Sequence, residues 1–206
     1  MYGGLRRLVE DETKDVYRTS RKYEIYDNEK DGLKGLITVE GGKYTTSRGL
    51  AENLLKMVTA KTGTKYKKSV TAGKYLAGCE IPDIDTFVAS AKSANSDFSA
   101  STVDFLSRIY GTEFNQVMDI ARSNVKYATP LDADGEMLAQ VLYSLKNEMA
   151  CTLTDILIRR TGVGTLGNPG PKVIEAIAEI AARELNWNTA RLDRELEKAV
   201  MALSIP

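Results

Sequence analysis

Residues 134–157 read DGEMLAQVLYSLKNEMACTLTDIL. Apolar side chains recur at Leu138, Val141, Leu142, Leu145, Met149, Leu153, Ile156 and Leu157. Steps of three and four place them on one stripe of a helix. The spacing predicts one long helix, begun at Asp134 and lasting about six turns at 3.6 residues each. A stripe of that length must be covered by other helices, so it predicts the centre of a helical core.

The flanks support this reading. Downstream, Pro169 and Pro171 mark a helix start, where proline is tolerated. Val173, Ile174, Ile177, Ile180, Ala181 and Leu185 form that helix's apolar face. Asn188 caps a last helix carrying Leu192, Leu196 and Val200. Upstream, Thr112 starts a helix with Phe114, Val117 and Ile120 inside, and Gly111 ends the one before it. Asp83 and Ser101 are N-cap candidates for two short helices, the second with Val103, Phe105, Leu106 and Ile109 on its inner face. Leu50, Leu54, Met57 and Val58 make a further helix closed by Gly63.

The first 48 residues differ in style. Residues 21–26 alternate charged with aromatic or aliphatic side chains, residues 27–32 signal a turn, and Leu36-Ile37-Thr38-Val39 is a β-branched run ended by Gly41-Gly42. A few short strands do not make a stable sheet alone, so this segment reads as the end of something larger. The expected fold is mainly α: a short β fragment, then a six- or seven-helix bundle. The expected divisions are 1–48, 49–82 and 83–206.

Composition narrows the chemistry. There are 28 Lys+Arg against 28 Asp+Glu, which argues against a general nucleic-acid binder. Histidine is absent, so no Ser/His or Cys/His dyad and no imidazole metal site exists in this chain. Cys79 and Cys151 lie far apart and read as two reduced thiols. No metal site is expected. No run of about 18 apolar residues occurs, and Met1-Tyr2-Gly3-Gly4-Leu5-Arg6-Arg7 lacks the apolar core of a signal peptide. The expected location is cytoplasmic.

Two glycine motifs compete as ligand sites. Gly162-Val163-Gly164-Thr165-Leu166-Gly167 matches G-x-G-x-x-G. A dinucleotide site needs a strand before it, and the preceding residues are helical by period, so it reads as a loop between helices. Gly41-Gly42-Lys43-Tyr44-Thr45-Thr46 runs from strand through tight turn to helix start. Backbone N–H groups and the helix dipole there suit a phosphate, a carboxylate or an anionic flavin ring. A plain strand–helix turn remains open on the same residues. Arg6, Arg7, Arg21 and Lys43 could bind a phosphate or be solvated surface charge. Lys65, Lys67 and Lys68 around Tyr66 form a small basic patch.

Several of these pieces together resemble a known family. Tyr2-Gly3-Gly4-Leu5-Arg6, Ser20-Arg21-Lys22-Tyr23, residues 41–48, and Glu148-Met149-Ala150 with Asp155 and Arg159-Arg160-Thr161 look like FAD-dependent glycerol-3-phosphate dehydrogenase. Its pattern reads roughly Y-x-G-x-R-P-L, S/T-R-D-Y, G-G-K-x-T-T-Y-R and E-x-A-x-x-x-x-D-x-L-x-R-R-T. The order and spacing agree over nearly the whole chain, but only with the C-terminal part of the family. The flavin-binding fingerprint and the flavin-side histidine belong to the part upstream.

The resemblance implies oxidation of glycerol 3-phosphate to dihydroxyacetone phosphate, with electrons passed to a quinone or another acceptor. It implies FAD in the whole enzyme, not held firmly by this chain, which alone is expected to be inactive. It gives catalytic roles to Arg6 and Arg21 at the substrate phosphate and to Lys43 near substrate and flavin. It gives cofactor contacts to Gly41, Gly42, Lys43, Tyr44 and Thr45. The implied partners are an N-terminal FAD domain, a second copy as homodimer, and the inner membrane surface through peripheral association, with no nucleic acid. Arg7 for proline, Lys22 for aspartate and Ser47 for tyrosine depart from the pattern and bear on substrate identity. The alternative is a non-catalytic helical interaction or dimerisation module.

Overall fold

The computed structural model describes residues 23–165 and 167–204. The chain forms two compact units, divided between Lys74 and Tyr75.

In the first unit, strand β1 (Tyr23–Asp27) pairs antiparallel with β2 (Ile37–Gly41), from Tyr23 opposite Gly41 to Asp27 opposite Ile37. A 3-10 turn over Asn28–Asp31 joins them, with the Asp27 side chain accepting the Glu29 N–H at 3.0 Å. Helix α1 (Ser47–Thr62) follows and ends at Gly63 in the left-handed conformation. Its ties to the hairpin are polar. Asn53 donates to the Tyr23 hydroxyl at 2.6 Å, and Lys61 sits 2.8 Å from Asp27 and 2.7 Å from Glu29. None of the described residues before Tyr75 is buried.

The second unit is all helical. Its helices are α2 (Ile84–Ala94), α3 (Ala100–Tyr110), α4 (Phe114–Ser123), α5 (Leu138–Asn147), α6 (Pro171–Glu184) and α7 (Thr189–Leu203). Seven α-helices and one two-stranded sheet among the described residues bear out the mainly-α expectation. The starts follow capping chemistry. Asp83, Ser99 and Asn188 accept the N–H groups of Thr86, Thr102 and Arg191, and Pro171 opens α6. Ser99 rather than Ser101 caps α3, two residues earlier than the spacing indicates.

Over its first two turns helix α5 is buried on all sides, with Leu138 through Ser144 continuously inside. It joins two apolar clusters. Val141 and Leu142 pack with Leu153, Ile156 and Leu157 and with Ile174, Ile177 and Ile180 of α6. Ala139 and Tyr143 pack with Val103, Leu106 and Tyr110 of α3 and with Phe114, Val117 and Met118 of α4.

The single long helix expected over residues 134–157 is not continuous. Asp134 belongs to a turn, α5 begins at Leu138, and the helix stops at Asn147. Met149 takes φ +57 and the Ala150 N–H turns back to the Ser144 carbonyl. A second helical start follows at once. Thr152 Oγ1 accepts the Asp155 N–H at 3.1 Å while Asp155 Oδ2 accepts the N–H groups of Thr152 at 3.0 Å and Cys151 at 3.2 Å. This reciprocal capping box nucleates a new axis. The chain then runs as a π-helical stretch over Asp155–Arg160. Buried Glu195 of α7 accepts the Leu153 N–H at 3.0 Å and keeps that start in place.

Candidate functional site

The Gly-Gly-Lys corner lies between β2 and α1. Gly41 and Gly42 have φ +74 and +100, conformations that L side chains rarely adopt. A side chain at Gly42 would meet Leu50 and the Cβ of Tyr23 in ordinary contact, so conformation rather than space requires glycine there. Lys43 is extended, with φ −130 and ψ 153, and exposed. A 3-10 turn over Tyr44–Thr46 then leads into α1. The Lys43 N–H donates to Thr46 Oγ1 at 3.3 Å, and the Thr46 N–H returns to the Lys43 carbonyl at 3.0 Å. Ser47 Oγ donates to the Tyr44 carbonyl at 2.7 Å. The first turn of α1 receives no side-chain cap, and Tyr44 is fully exposed.

The structure therefore brings Gly41, Gly42, Lys43, Tyr44 and Thr45 together on one solvent-facing corner. Backbone bare of side chains, a free-standing lysine and an aromatic ring are available to a flat anionic group. Arg6 and Arg21 lie outside the described residues. The basic patch has a local structure of its own: Lys56 stands over the Tyr66 ring at 5.8 Å, and Tyr66 donates to Glu52 at 3.4 Å.

The second unit holds the other signature residues. Glu148 is half-buried, and burial raises its carboxyl above the ordinary glutamate value while Arg160 acts against that rise. Its Oε2 is buried without a hydrogen-bond partner. Asp155 caps the π-helical start and pairs with Arg159 at 2.9 Å. Its carboxyl lies below the usual range: burial works upward, and hydrogen bonds from Thr152 and Cys151 outweigh it. Thr161 Oγ1 donates to the Ile156 carbonyl at 2.8 Å, closing the stretch. Tyr143 donates to Glu113 at 3.0 Å, and burial first, then the Glu113 carboxylate, pushes its phenol up to about 12. These groups brace the fold. The G-x-G-x-x-G segment follows a helical stretch, as its reading as a loop between helices requires.

One feature of this unit has only a faint signal in the sequence. A cleft of about 630 Å³ opens between the Leu131–Glu136 turn, α3 and the segment after Arg159. Phe105, Ile109 and Val163 form apolar wall, and Asp132, Glu136 and Arg160 supply charge. The close spacing of Asp132, Asp134 and Glu136 was the available cue. It does not distinguish a solvated turn from a buried acid. Among the described residues no group of three or more His, Cys, Asp or Glu side chains could hold a metal ion, and no helix is long and apolar enough to cross a membrane.

Comparison with known proteins shows the family. Residues 69–192 match the family model for the C-terminal domain of alpha-glycerophosphate oxidase. The chain is 25% identical over 199 residues to a glycerol-3-phosphate dehydrogenase of Synechocystis sp., covering 96% of this chain and 36% of that protein. It is 32% identical over 172 residues to an aerobic glycerol-3-phosphate dehydrogenase of Staphylococcus saprophyticus, covering 78% and 29%. The solved structure of a glycerol-3-phosphate dehydrogenase from Bacillus halodurans complexed with FAD superposes with a TM-score of 0.67 at 27% identity, over 84% of this chain and 36% of that one. The chain thus spans about a third of the length of the curated relatives it matches.

Proposed function

The chain belongs to the family of the C-terminal domain of alpha-glycerophosphate oxidase, and from this we propose that it serves as the C-terminal part of an FAD-dependent glycerol-3-phosphate dehydrogenase. The observation that carries this reading is collinearity: one relative aligns over 96% of this chain. The whole enzyme would oxidise glycerol 3-phosphate to dihydroxyacetone phosphate and pass electrons to a quinone or another acceptor. It would work in the cytoplasm or at the inner membrane surface, as a homodimer.

The corner at Gly41–Thr45 fits one edge of a flavin. Two glycines without Cβ atoms and the positive end of the α1 dipole suit an anionic ring edge. The G-x-G-x-x-G segment is no place for the adenosine and pyrophosphate, since it follows a helical stretch rather than a strand. A flavin bound at the corner supplies the hydride acceptor. This chain's own contributions are positional. Lys43 reaches out beside the glycines, and with Arg6 and Arg21 it would hold a dianionic phosphate in one pose. The isolated chain neither retains FAD firmly nor turns over substrate.

Dye-coupled oxidation of glycerol 3-phosphate tests this, run on the purified chain and on the chain co-expressed with the flavin-binding part of the Bacillus halodurans relative. Turnover and visible flavin absorbance only in the second sample support the reading. Turnover by the chain alone overturns the proposed division of labour. Firm flavin retention in the mixture without any turnover overturns the assigned substrate.

A further inference from the structure

Tyr44 is more exposed than any other large apolar or aromatic side chain among the described residues. Its hydroxyl makes no hydrogen bond with them. The backbone beneath it is nevertheless fixed. It follows two glycines at φ +74 and +100. It opens a 3-10 turn closed by the Thr46 N–H on the Lys43 carbonyl at 3.0 Å and by the Ser47 N–H on the Tyr44 carbonyl. A large ring held out into water on a fixed corner is placed for something beyond the described residues.

The family pattern G-G-K-x-T-T-Y-R carries its tyrosine three positions later, where this chain has Ser47. Side chains three apart eclipse in a 3-10 turn, so positions 44 and 47 stand in one column. The hydrogen bonds agree: Ser47 Oγ also reaches the Tyr44 carbonyl, at 2.7 Å. The chain has therefore kept a tyrosine ring in that column and moved it toward the glycines, by about 6 Å at a rise of about 2 Å per residue. Serine at 47 leaves the moved ring uncrowded. The neighbouring side chains are otherwise engaged. Arg48 pairs with Glu52 at 3.1 Å, and the Tyr23 hydroxyl accepts from Asn53 at 2.6 Å.

We propose that the Tyr44 ring is the aromatic wall of the flavin subsite in this chain, packing on the flavin edge at Gly41 and Gly42 in place of a tyrosine at position 47. This rests on the flavoenzyme reading above and adds to it a role for the side chain, coupled to the Ser47 departure. A phenol ring gives a flat conjugated edge offset or edge-on contact while its hydroxyl stays at the wet rim. Serine cannot offer that contact from position 47.

The test uses the full chain co-expressed with the flavin-binding part of the Bacillus halodurans relative, stripped of FAD and then titrated with it. Fluorotyrosine is incorporated, and the Tyr44 resonance is identified by its absence from Tyr44→Phe. That resonance should shift as FAD binds. Tyr44→Ala should weaken FAD binding by about two- to tenfold, the worth of one aromatic pair. Adding Ser47→Tyr to Tyr44→Ala should regain most of that loss. Both side chains are exposed, so these changes leave the core of the chain untouched. A Tyr44 resonance that stays in place when FAD binds would overturn the inference. So would unchanged affinity in Tyr44→Ala, or a double variant as weak as the single one. In those three cases FAD still binds and the flavoenzyme reading stands. A wild-type complex that takes up no FAD would overturn both.

Discussion

Met149 holds a left-handed backbone, φ +57, with a side chain 83% exposed. A non-glycine residue there carries a conformational cost, and the exposed methionine returns little packing to offset it. Met149→Gly should therefore stabilise the chain by about 0.5–1 kcal/mol, read as a rise in urea midpoint at unchanged slope. A loss of stability would show that the side chain packs against something in solution. Asn186 takes the same conformation after α6, where the Trp187 N–H returns to Ala182 and the Asn186 N–H to Arg183. Asparagine tolerates that geometry, so this helix end is legible from residue type. Met149 is not, because methionine is a good helix former and its spacing continues the stripe. Gly111 shows the same limit in another way. Its stop signal is plain in sequence, yet the close approach of the Gly78 carbonyl that forbids a side chain there belongs to the folded chain.

The elements differ in what holds them. Strands β1 and β2 and helix α1 have no buried residue and are joined by exposed hydrogen bonds and ion pairs. Helix α5 has seven consecutive buried residues. Exposed ion pairs contribute about 0–1 kcal/mol each, whereas fully burying one large apolar side chain contributes about 1.5–3. Amide exchange should accordingly be fast across residues 23–48 and slowest in α5, with at least about a hundredfold gap in protection. Equal protection would show that the hairpin is stabilised by something other than its own contacts. The strands, their turn and the caps at Asp83 and Asn188 were readable because each is written within a few residues. The break between α5 and the π-helical stretch was readable in part. Thr152-Leu153-Thr154-Asp155 is a helix-start signature, but it lies inside an unbroken apolar period that predicts continuity.

For the molecule taken whole, stability against pH follows from which carboxyls hold protons. Glu136, raised to about 8, stays protonated in the fold where the unfolded chain would be ionised, and burial shifts Glu148 in the same direction. The folded state then binds more protons, so stability falls as pH rises from about 4.5 toward 8, by at most about 1.4 kcal/mol per unit for one group. Asp132 and Asp155 are shifted down, and their contribution is present above the unfolded value of about 3.8 and lost as pH falls below it. Thermal melts should show an optimum on the acid side of neutrality, and Glu136→Gln should flatten the alkaline limb. A wild-type optimum at about pH 8 or above would contradict the Glu136 assignment.

Periodicity, capping and motif order are local properties that survive without coordinates. They were enough for the helical class, the hairpin, most helix ends and the family. The Gly41–Thr45 corner was likewise visible, as a strand ending in two glycines before a helix. Folding had to supply the rest: that one stripe becomes two axes, with α5 enclosed over its first two turns, and that Glu136 is buried against Gly162, twenty-six positions along the chain. Burial and electrostatic environment depend on which distant segments meet, and nothing in the composition of an acidic turn says what will cover it.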